Sequence, residues 1–139
     1  MPRFHETTFG VYFDDLDLFG VLHNSRYLLF FERAIGELWA RIGRPGLSGV
    51  MSPDQAHLVR TNHIEYLRPV EGMGEVRVRV SVKKLGRTSI VFGFRLMPMD
   101  EDVELAVGER VLVRIDPETR RPSPWSDDFR ERIAPFVQP

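Results

Sequence analysis

Three carboxylates and a histidine lie close together near the start of the chain. Asp14, Asp15 and Asp17 fall within four positions, and His23 comes six residues after Asp17. A carboxylate can attack a carbonyl carbon or take a proton from water, and an imidazole can move a proton near neutral pH. Acidic turns are common, so the same residues also fit a loop without chemistry. Residue types alone leave both interpretations open.

A long helix is predicted directly after this acidic segment. Asn24 or Ser25 is a suitable N-cap, and Gly43 and Pro45 are placed to end the helix near Ile42. The apolar residues cover more than one stripe, as expected of a helix around which a sheet wraps. The first N–H groups of a helix lack intrahelical partners and carry the positive end of its dipole. They could therefore polarise a carbonyl group held beside the acidic segment.

Alternation of apolar and polar residues predicts five strands. The first covers Thr7 to Phe13, and a short amphipathic segment around Phe129 to Phe136 closes the chain. The other four strands follow the helix at His57 to Leu67, Val76 to Val82, Ser89 to Leu96 and Glu104 to Ile115. In the last of them Val107, Val111 and Val113 share one face. The order predicts an α+β fold with one long helix against an antiparallel sheet.

Composition narrows the possible functions. At 139 residues, the chain is predicted to be one domain over residues 1–139. It has no cysteine, which excludes disulfides, thiolate nucleophiles and cysteine-ligated zinc, and no metal site is predicted. Its net charge of -1 gives no field that would attract nucleic acid. Without an apolar stretch of membrane-spanning length or a signal-type segment, we expect a cytoplasmic protein that does not insert into membranes.

Two local features bear on partners. An antiparallel sheet of this size leaves its edges exposed, and Val76 to Val82 would aggregate unless an edge pairs with another subunit, so a homodimer with a continuous sheet is predicted. Basic residues form two clusters that fit either a solvated strand face or a cradle for a phosphorylated ligand. The clusters consist of Arg77, Arg79, Lys83, Lys84 and Arg87, and of Arg114, Arg120 and Arg121.

Several motifs resemble one known family. Asp15-Leu16-Asp17, Gly20-Val21-Leu22-His23 and Tyr27 are similar to the signature of the 4-hydroxybenzoyl-CoA thioesterase-like family, especially its acyl-CoA thioesterase branch associated with the Tol-Pal cluster. The resemblance covers nearly the whole chain. Its further motifs are Glu32-Arg33-Ala34, Val59-Arg60, Ile64 to Pro69, Gly86 to Ser89 and Val113 to Asp116.

The resemblance implies a fold and an activity. The fold would be a hot-dog fold, in which a five-stranded antiparallel sheet wraps around one long central helix. The activity would be hydrolysis of an acyl-CoA thioester to the free acid and coenzyme A, with no cofactor, because coenzyme A is part of the substrate. Beside the homodimer predicted from the sheet edges, a homotetramer made of two dimers is an open alternative.

The resemblance also implies roles for individual residues. Asp17 falls on the catalytic carboxylate, which acts as nucleophile or as general base for water. The backbone N–H of Asn24 falls where the thioester carbonyl is polarised, and His23 matches a histidine that assists catalysis or orients groups. Gly20 and Tyr27 would lie at the substrate.

A second region would hold the carrier. The family places a glycine turn near the phosphates of coenzyme A, and Lys84, Arg87, Thr88 and Ser89 surround such a turn in this chain. Turn N–H groups and cationic side chains suit phosphate oxygens. A hairpin connection with no ligand is the alternative interpretation of the same residues.

The chain also departs from the family pattern. Leu16 replaces the usual threonine, Phe19 replaces a small residue, and Asn24-Ser25 replaces Ala-Ser. His23-Asn24 partly resembles the pattern of acyl-carrier-protein thioesterases, so a carrier-protein ester remains an alternative substrate. A non-catalytic hot-dog module that binds acyl-CoA is a further alternative.

Overall fold

The computed structural model describes residues 3–43 and 53–139. Within these ranges the chain forms five strands and two α-helices. In chain order they are β1 (His5–Val11), α1 (Asn24–Arg41), β2 (His57–Tyr66), β3 (Gly74–Leu85), β4 (Ser89–Pro98), β5 (Ala106–Arg114) and α2 (Asp127–Ile133).

The strands form one antiparallel sheet in the order β1-β3-β4-β5-β2. The predicted α+β arrangement of five strands and one long helix is therefore confirmed. β1 lies two residues earlier than the predicted range of Thr7 to Phe13. The reason is local: Tyr12 N–H donates to the Asp15 carboxylate at 2.8 Å, which closes a short 3-10 turn over Phe13–Asp15.

Helix α1 packs on one face of the sheet and supplies much of the core. The ring of Phe31 stacks on Phe94 of β4 with centroids 4.5 Å apart, and Phe30 stacks on Phe9 of β1 at 5.3 Å. The helix-facing valines of β3 are buried. Burial of each such side chain stabilises the fold by about 2 kcal/mol. The helix is thereby held in a fixed position over the sheet.

β5 turns its valines away from the helix. Ala106, Gly108, Arg110 and Leu112 face α1 and are buried, whereas the alternating valines of this strand lie on the outer face. A Cβ atom at Gly108 would lie 2.6 Å from the carbonyl oxygen of His63 and 3.4 Å from the ring of Phe31. The absence of a side chain at position 108 is therefore what lets α1 approach the sheet closely.

The N-cap of α1 differs from the prediction. The cap is His23, whose Nδ1 accepts a hydrogen bond from Ser25 N–H, so the prediction of Asn24 or Ser25 was wrong. An imidazole nitrogen is an uncommon cap acceptor, and the usual cap preferences point to the next two residues. Gly43 follows the helix with φ of +87°, as a residue that ends a helix often does, while Pro45 lies outside the described residues.

The carboxyl-terminal segment docks against the end of α1. Trp39 stacks on Phe129 of α2 with centroids 5.0 Å apart. The fully buried Asp54 accepts hydrogen bonds from the backbone N–H of Ser126 at 2.8 Å and from its hydroxyl at 2.6 Å. In the described ranges, no helix combines the length and apolarity needed to span a membrane.

Candidate active site

The segment between β1 and α1 is a tight hairpin-like loop with Asp17 at its tip. Asp17 N–H donates to the Val21 carbonyl at 2.9 Å, and Gly20 N–H donates to the Asp17 carbonyl at 3.0 Å. A bridge between Leu16 and Leu22 closes the loop below the tip. Gly20 has φ of +73°, a conformation that strains any residue with a Cβ. The backbone hydrogen bonds within the loop thus fix its conformation and the place of Asp17 in it.

The carboxylate of Asp17 is held by one oxygen. Its Oδ1 accepts from Phe19 N–H at 2.8 Å and from Val21 N–H at 3.3 Å. Within residues 3–43 and 53–139, no hydrogen bond uses Oδ2. One oxygen therefore orients the group, and the other is available for a substrate or a water molecule.

Asp17 shares a cleft with the beginning of α1. The cleft has a volume of about 400 Å³. The wall on the loop and helix side contains Asp17, His23, Asn24 and Tyr27, and the wall on the sheet side contains the residues that follow and end β2. The complete lining is Asp17, Val21, Leu22, His23, Asn24, Tyr27, Tyr66, Leu67, Arg68 and Pro69.

A second groove, with a volume of about 770 Å³, borders the same loop. Asp17 and His23 border it as well, so these two side chains stand between the two spaces. Its remaining lining is Phe13, Asp14, Leu16, Leu18, Phe19 and Gly20, and Phe13, Leu18 and Phe19 are strongly exposed. The loop thus presents an apolar surface next to a carboxylate.

His23 combines a structural contact with a place at the cleft. Its side chain is exposed, and its Nδ1 lies 3.2 Å from the N–H and 2.9 Å from the hydroxyl of Ser25. An Nδ1 that accepts the N–H of Ser25 leaves the ring proton on Nε2 in the neutral form. Capping therefore leaves only the Nε2 side of the ring for contact with a ligand.

Tyr27 is buried at the floor of the cleft, with 3% of its surface exposed. Burial raises the pKa of the Tyr27 phenol above its ordinary value, and the negative charge of Asp17 raises this pKa further. A hydrogen bond from the Val70 backbone acts in the opposite direction and lowers the pKa. Tyr27 is consequently a neutral phenol near pH 7, which agrees with a role in lining the cleft.

The four residues predicted at the coenzyme A phosphates lie elsewhere. β1 and β3 pair so that Val11, the last residue of β1, is opposite Gly74, the first residue of β3. The loop that carries Asp17 leaves the sheet at this end. The turn between β3 and β4 that holds Lys84, Arg87, Thr88 and Ser89 is at the opposite end of β3. β3 is twelve residues long, so its two ends are about 35 Å apart in an extended strand. Within one chain the structure does not bring this turn to the Asp17 cleft.

Some residues of the site were not singled out from the sequence. Tyr66 and Arg68 line the cleft opposite α1, and the Tyr66 hydroxyl donates to the Asn24 carbonyl at 3.3 Å. The sequence shows only that they lie near the end of a strand. The pairing of β2 with β5, which carries Tyr66 to the helix start, is a long-range contact that a local pattern does not show.

Comparisons with known proteins agree on the class. Residues 11–133 match the Thioesterase-like superfamily. The chain is 29% identical over 112 residues to the acyl-CoA thioester hydrolase YbgC of Escherichia coli O6:H1, covering 81% of this chain and 82% of the relative. A thioesterase from Thermus thermophilus, solved with coenzyme A and Zn, is 30% identical with a TM-score of 0.78, covering 94% of this chain and 92% of that one.

A predicted thioesterase from Bacillus stearothermophilus shares the fold, with a TM-score of 0.84 at 21% identity and coverage of 97% of both chains. These likenesses confirm the predicted hot-dog fold. The chain belongs to the Thioesterase-like superfamily.

Proposed function

We propose that this protein hydrolyses acyl-CoA thioesters to the free acid and coenzyme A. The observation that carries the proposal is that Asp17 and Asn24 line one cleft, so that a carboxylate and the beginning of a long helix border the same space. The name of the Escherichia coli relative, an acyl-CoA thioester hydrolase, supports the choice of substrate.

The proposed reaction uses two groups that line the cleft, the Asn24 N–H and the Asp17 carboxylate. The carbonyl oxygen of the thioester accepts the N–H of Asn24, which stabilises the negative charge that develops on this oxygen. Oδ2 of Asp17 then either attacks the carbonyl carbon or takes a proton from the water that attacks it. Collapse of the tetrahedral intermediate breaks the C–S bond, and the thiolate of coenzyme A leaves and takes up a proton. Attack by water gives the free acid directly, whereas attack by Asp17 gives a mixed anhydride that a water molecule then hydrolyses to the acid and the free carboxylate. No cofactor takes part in this proposal.

We further propose a homodimer that pairs β2 with β2 of a second copy. β2 is a ten-residue edge strand, and its apolar residues Leu58 and Tyr66 are 56% and 51% exposed. Antiparallel pairing about a two-fold axis would place the His57 end of one β2 next to the Tyr66 end of the other. A continuous sheet would cover both edges.

The charge distribution supports this pairing. At the far end of the sheet lie five cations that form no ion pair within the described residues: Lys84, Arg87, Arg114, Arg120 and Arg121. Acidic residues surround the Asp17 end: Asp14, Asp17, Glu71 and Glu75. An antiparallel dimer brings the cationic end of one copy toward the acidic end of the other. The phosphates of coenzyme A would then contact the Arg87 turn of the second copy.

The proposed substrate also suggests where in the cell the enzyme acts. Acyl-CoA esters are made and used in the cytoplasm, and we place the enzyme there. The proposal leaves open whether dimers pair into tetramers, and we treat the dimer as the unit that forms the site.

Turnover of a substrate panel tests the proposed function. Thiol release is measured with short, long and aromatic acyl-CoA esters and with matched acyl-carrier-protein esters. Asp17→Asn keeps an oxygen acceptor for the N–H groups of Phe19 and Val21, so the loop stays folded, while kcat falls about 10²–10⁴-fold. Asp127→Asn, an exposed carboxylate on α2, is the matched control. An active Asp17→Asn variant would refute the mechanism. Faster turnover of the carrier-protein esters would show that these esters, and not acyl-CoA, are the substrates.

A further inference from the structure

Asp15 lies next to the site and is buried, and its carboxylate takes no part in the proposed reaction. It is 9% exposed. One carboxylate oxygen, Oδ2, accepts the N–H of Tyr12 at 2.8 Å, and the other, Oδ1, lies 3.1 Å from Nε of Arg26. A carboxylate in such a place needs a compensating cation, and Arg26 is that cation.

Arg26 reaches the acidic loop from the first turn of α1. Besides the ion pair with Asp15, its Nη2 donates to the Asp14 carbonyl at 3.1 Å. The backbone adds a further contact, because His23 N–H donates to the Asp15 carbonyl at 2.8 Å. The base of the loop that carries Asp17 is thus joined to the beginning of α1 through one ion pair and two hydrogen bonds.

The side chains at the tip of the same loop do not pack against the rest of the fold. Leu18 is 102% exposed and Phe19 89%, so neither side chain anchors the tip. The side-chain hydrogen bonds of Asp17 run within the loop itself. The backbone of Gly20 and Leu22 joins one arm of the loop to Gly72 and Val70, at 2.9 and 2.8 Å. On the side that faces α1, the connection between loop and helix is made at the base, where Asp15 and Arg26 meet.

We propose that Asp15 and Arg26 are positioning residues, which set the distance between the Asp17 carboxylate and the Asn24 N–H. The proposal rests on the proposed function, since it concerns the geometry of that reaction. The Arg26 side chain is 36% exposed, so solvent screens its side of the ion pair and weakens the contribution of the pair to stability. A misplacement of about 1 Å, in contrast, can lower a rate about 100-fold. Loss of the pair should therefore affect turnover much more than folding.

The experiment compares Asp15→Asn, Arg26→Gln and the double variant with the wild type. We expect kcat to fall about 10–100-fold in each single variant, while KM changes less than about 3-fold and Tm by only a few degrees. The double variant should lose little more than either single one, because both act through one contact. Arg26→Lys keeps the charge without the fork of donors and should recover part of kcat.

A matched control and the contrary outcomes complete the test. Glu109→Gln removes one partner of the Lys83–Glu109 ion pair on the outer sheet face and should leave kcat unchanged. Unchanged kcat in the folded Arg26→Gln and Arg26→Lys variants would overturn the proposal, as would a loss of kcat explained by an equal loss of folded protein. If the wild type is active and Asp17→Asn is not, unchanged kcat in the Arg26 variants refutes only the positioning role. A wild type that hydrolyses no thioester refutes the proposed function, and the positioning role with it.

Discussion

Tyr27 and Tyr66 meet edge to face, with ring centroids 4.9 Å apart and ring planes at 87°. The pair joins the first turn of α1 to the end of β2. It also closes one wall of the cleft, because Tyr66 lies over the buried phenol of Tyr27. The contact contributes to the burial of Tyr27, although this tyrosine lines an open cleft.

This burial predicts a pH-dependent stability. Burial raises the pKa of Tyr27 above 10.0, and the neighbouring Tyr66 and Asp17 act in the same direction. The unfolded chain releases this proton at lower pH than the folded one, so the stabilising contribution is present below pH 10 and is lost as pH rises above it. Tyr27→Phe should remove this part of the alkaline loss of stability, measured by urea unfolding across alkaline pH. Tyr12→Phe, at an exposed ring, is the control, and an equal effect of both substitutions would contradict the assignment.

The sequence predicted the elements of the fold because their patterns are local. The alternation in β3 and the broad apolar surface of α1 each identify an element without any knowledge of its neighbours. The side of the sheet to which β5 turns its valines was not predictable in this way. It depends on Gly108 meeting Phe31 and the backbone of His63, which are distant in sequence.

The site was predictable only in part for the same reason. Asp17, His23, Asn24 and Tyr27 lie within eleven consecutive residues, and the structure brings them to one cleft. The Arg87 turn could not be located from the sequence, because its distance from Asp17 is set by the length and pairing of β3. The catalytic and binding roles of all these residues stay predictions.

Two glycines should respond to alanine in opposite directions. At Gly108 a Cβ would lie 2.6 Å from backbone, so Gly108→Ala forces the sheet and helix apart and should destabilise the fold by about 1–3 kcal/mol. At Gly36, inside α1, nothing lies within 4 Å of the added Cβ. Gly36→Ala should stabilise by roughly 0.5–1 kcal/mol through helix propensity. Denaturant unfolding of both variants measures the difference, and a neutral Gly108→Ala would show that the close packing in this place has been overstated.

The proposed dimer predicts that the two sheet edges differ in their response to charge. Thr61 lies near the middle of β2, so two copies of Thr61→Lys would face each other close to the two-fold axis. Like charges placed across paired strands repel, and dimerisation should weaken about tenfold or more. Thr8→Lys makes the same change on the other edge strand, β1, and should leave the dimer intact. Analytical ultracentrifugation distinguishes the two, and a monomeric wild type at micromolar concentration would refute the dimer.

A mixture of two differently impaired variants, assayed at acyl-CoA concentrations well below the KM of Arg87→Ala, tests whether each site uses both copies. Asp17→Asn removes the carboxylate, and Arg87→Ala should raise KM for acyl-CoA esters more than it lowers kcat. If Asp17 of one copy acts with Arg87 of the other, a heterodimer of the two variants contains one site with both residues intact and one with neither. Co-refolding them should then restore about half of the wild-type activity per heterodimer, with a wild-type KM. If both residues served a site within one chain, every site in the mixture would carry a defect and the intact kinetics would not return. An unchanged KM in Arg87→Ala alone would remove this arginine from the phosphate contact.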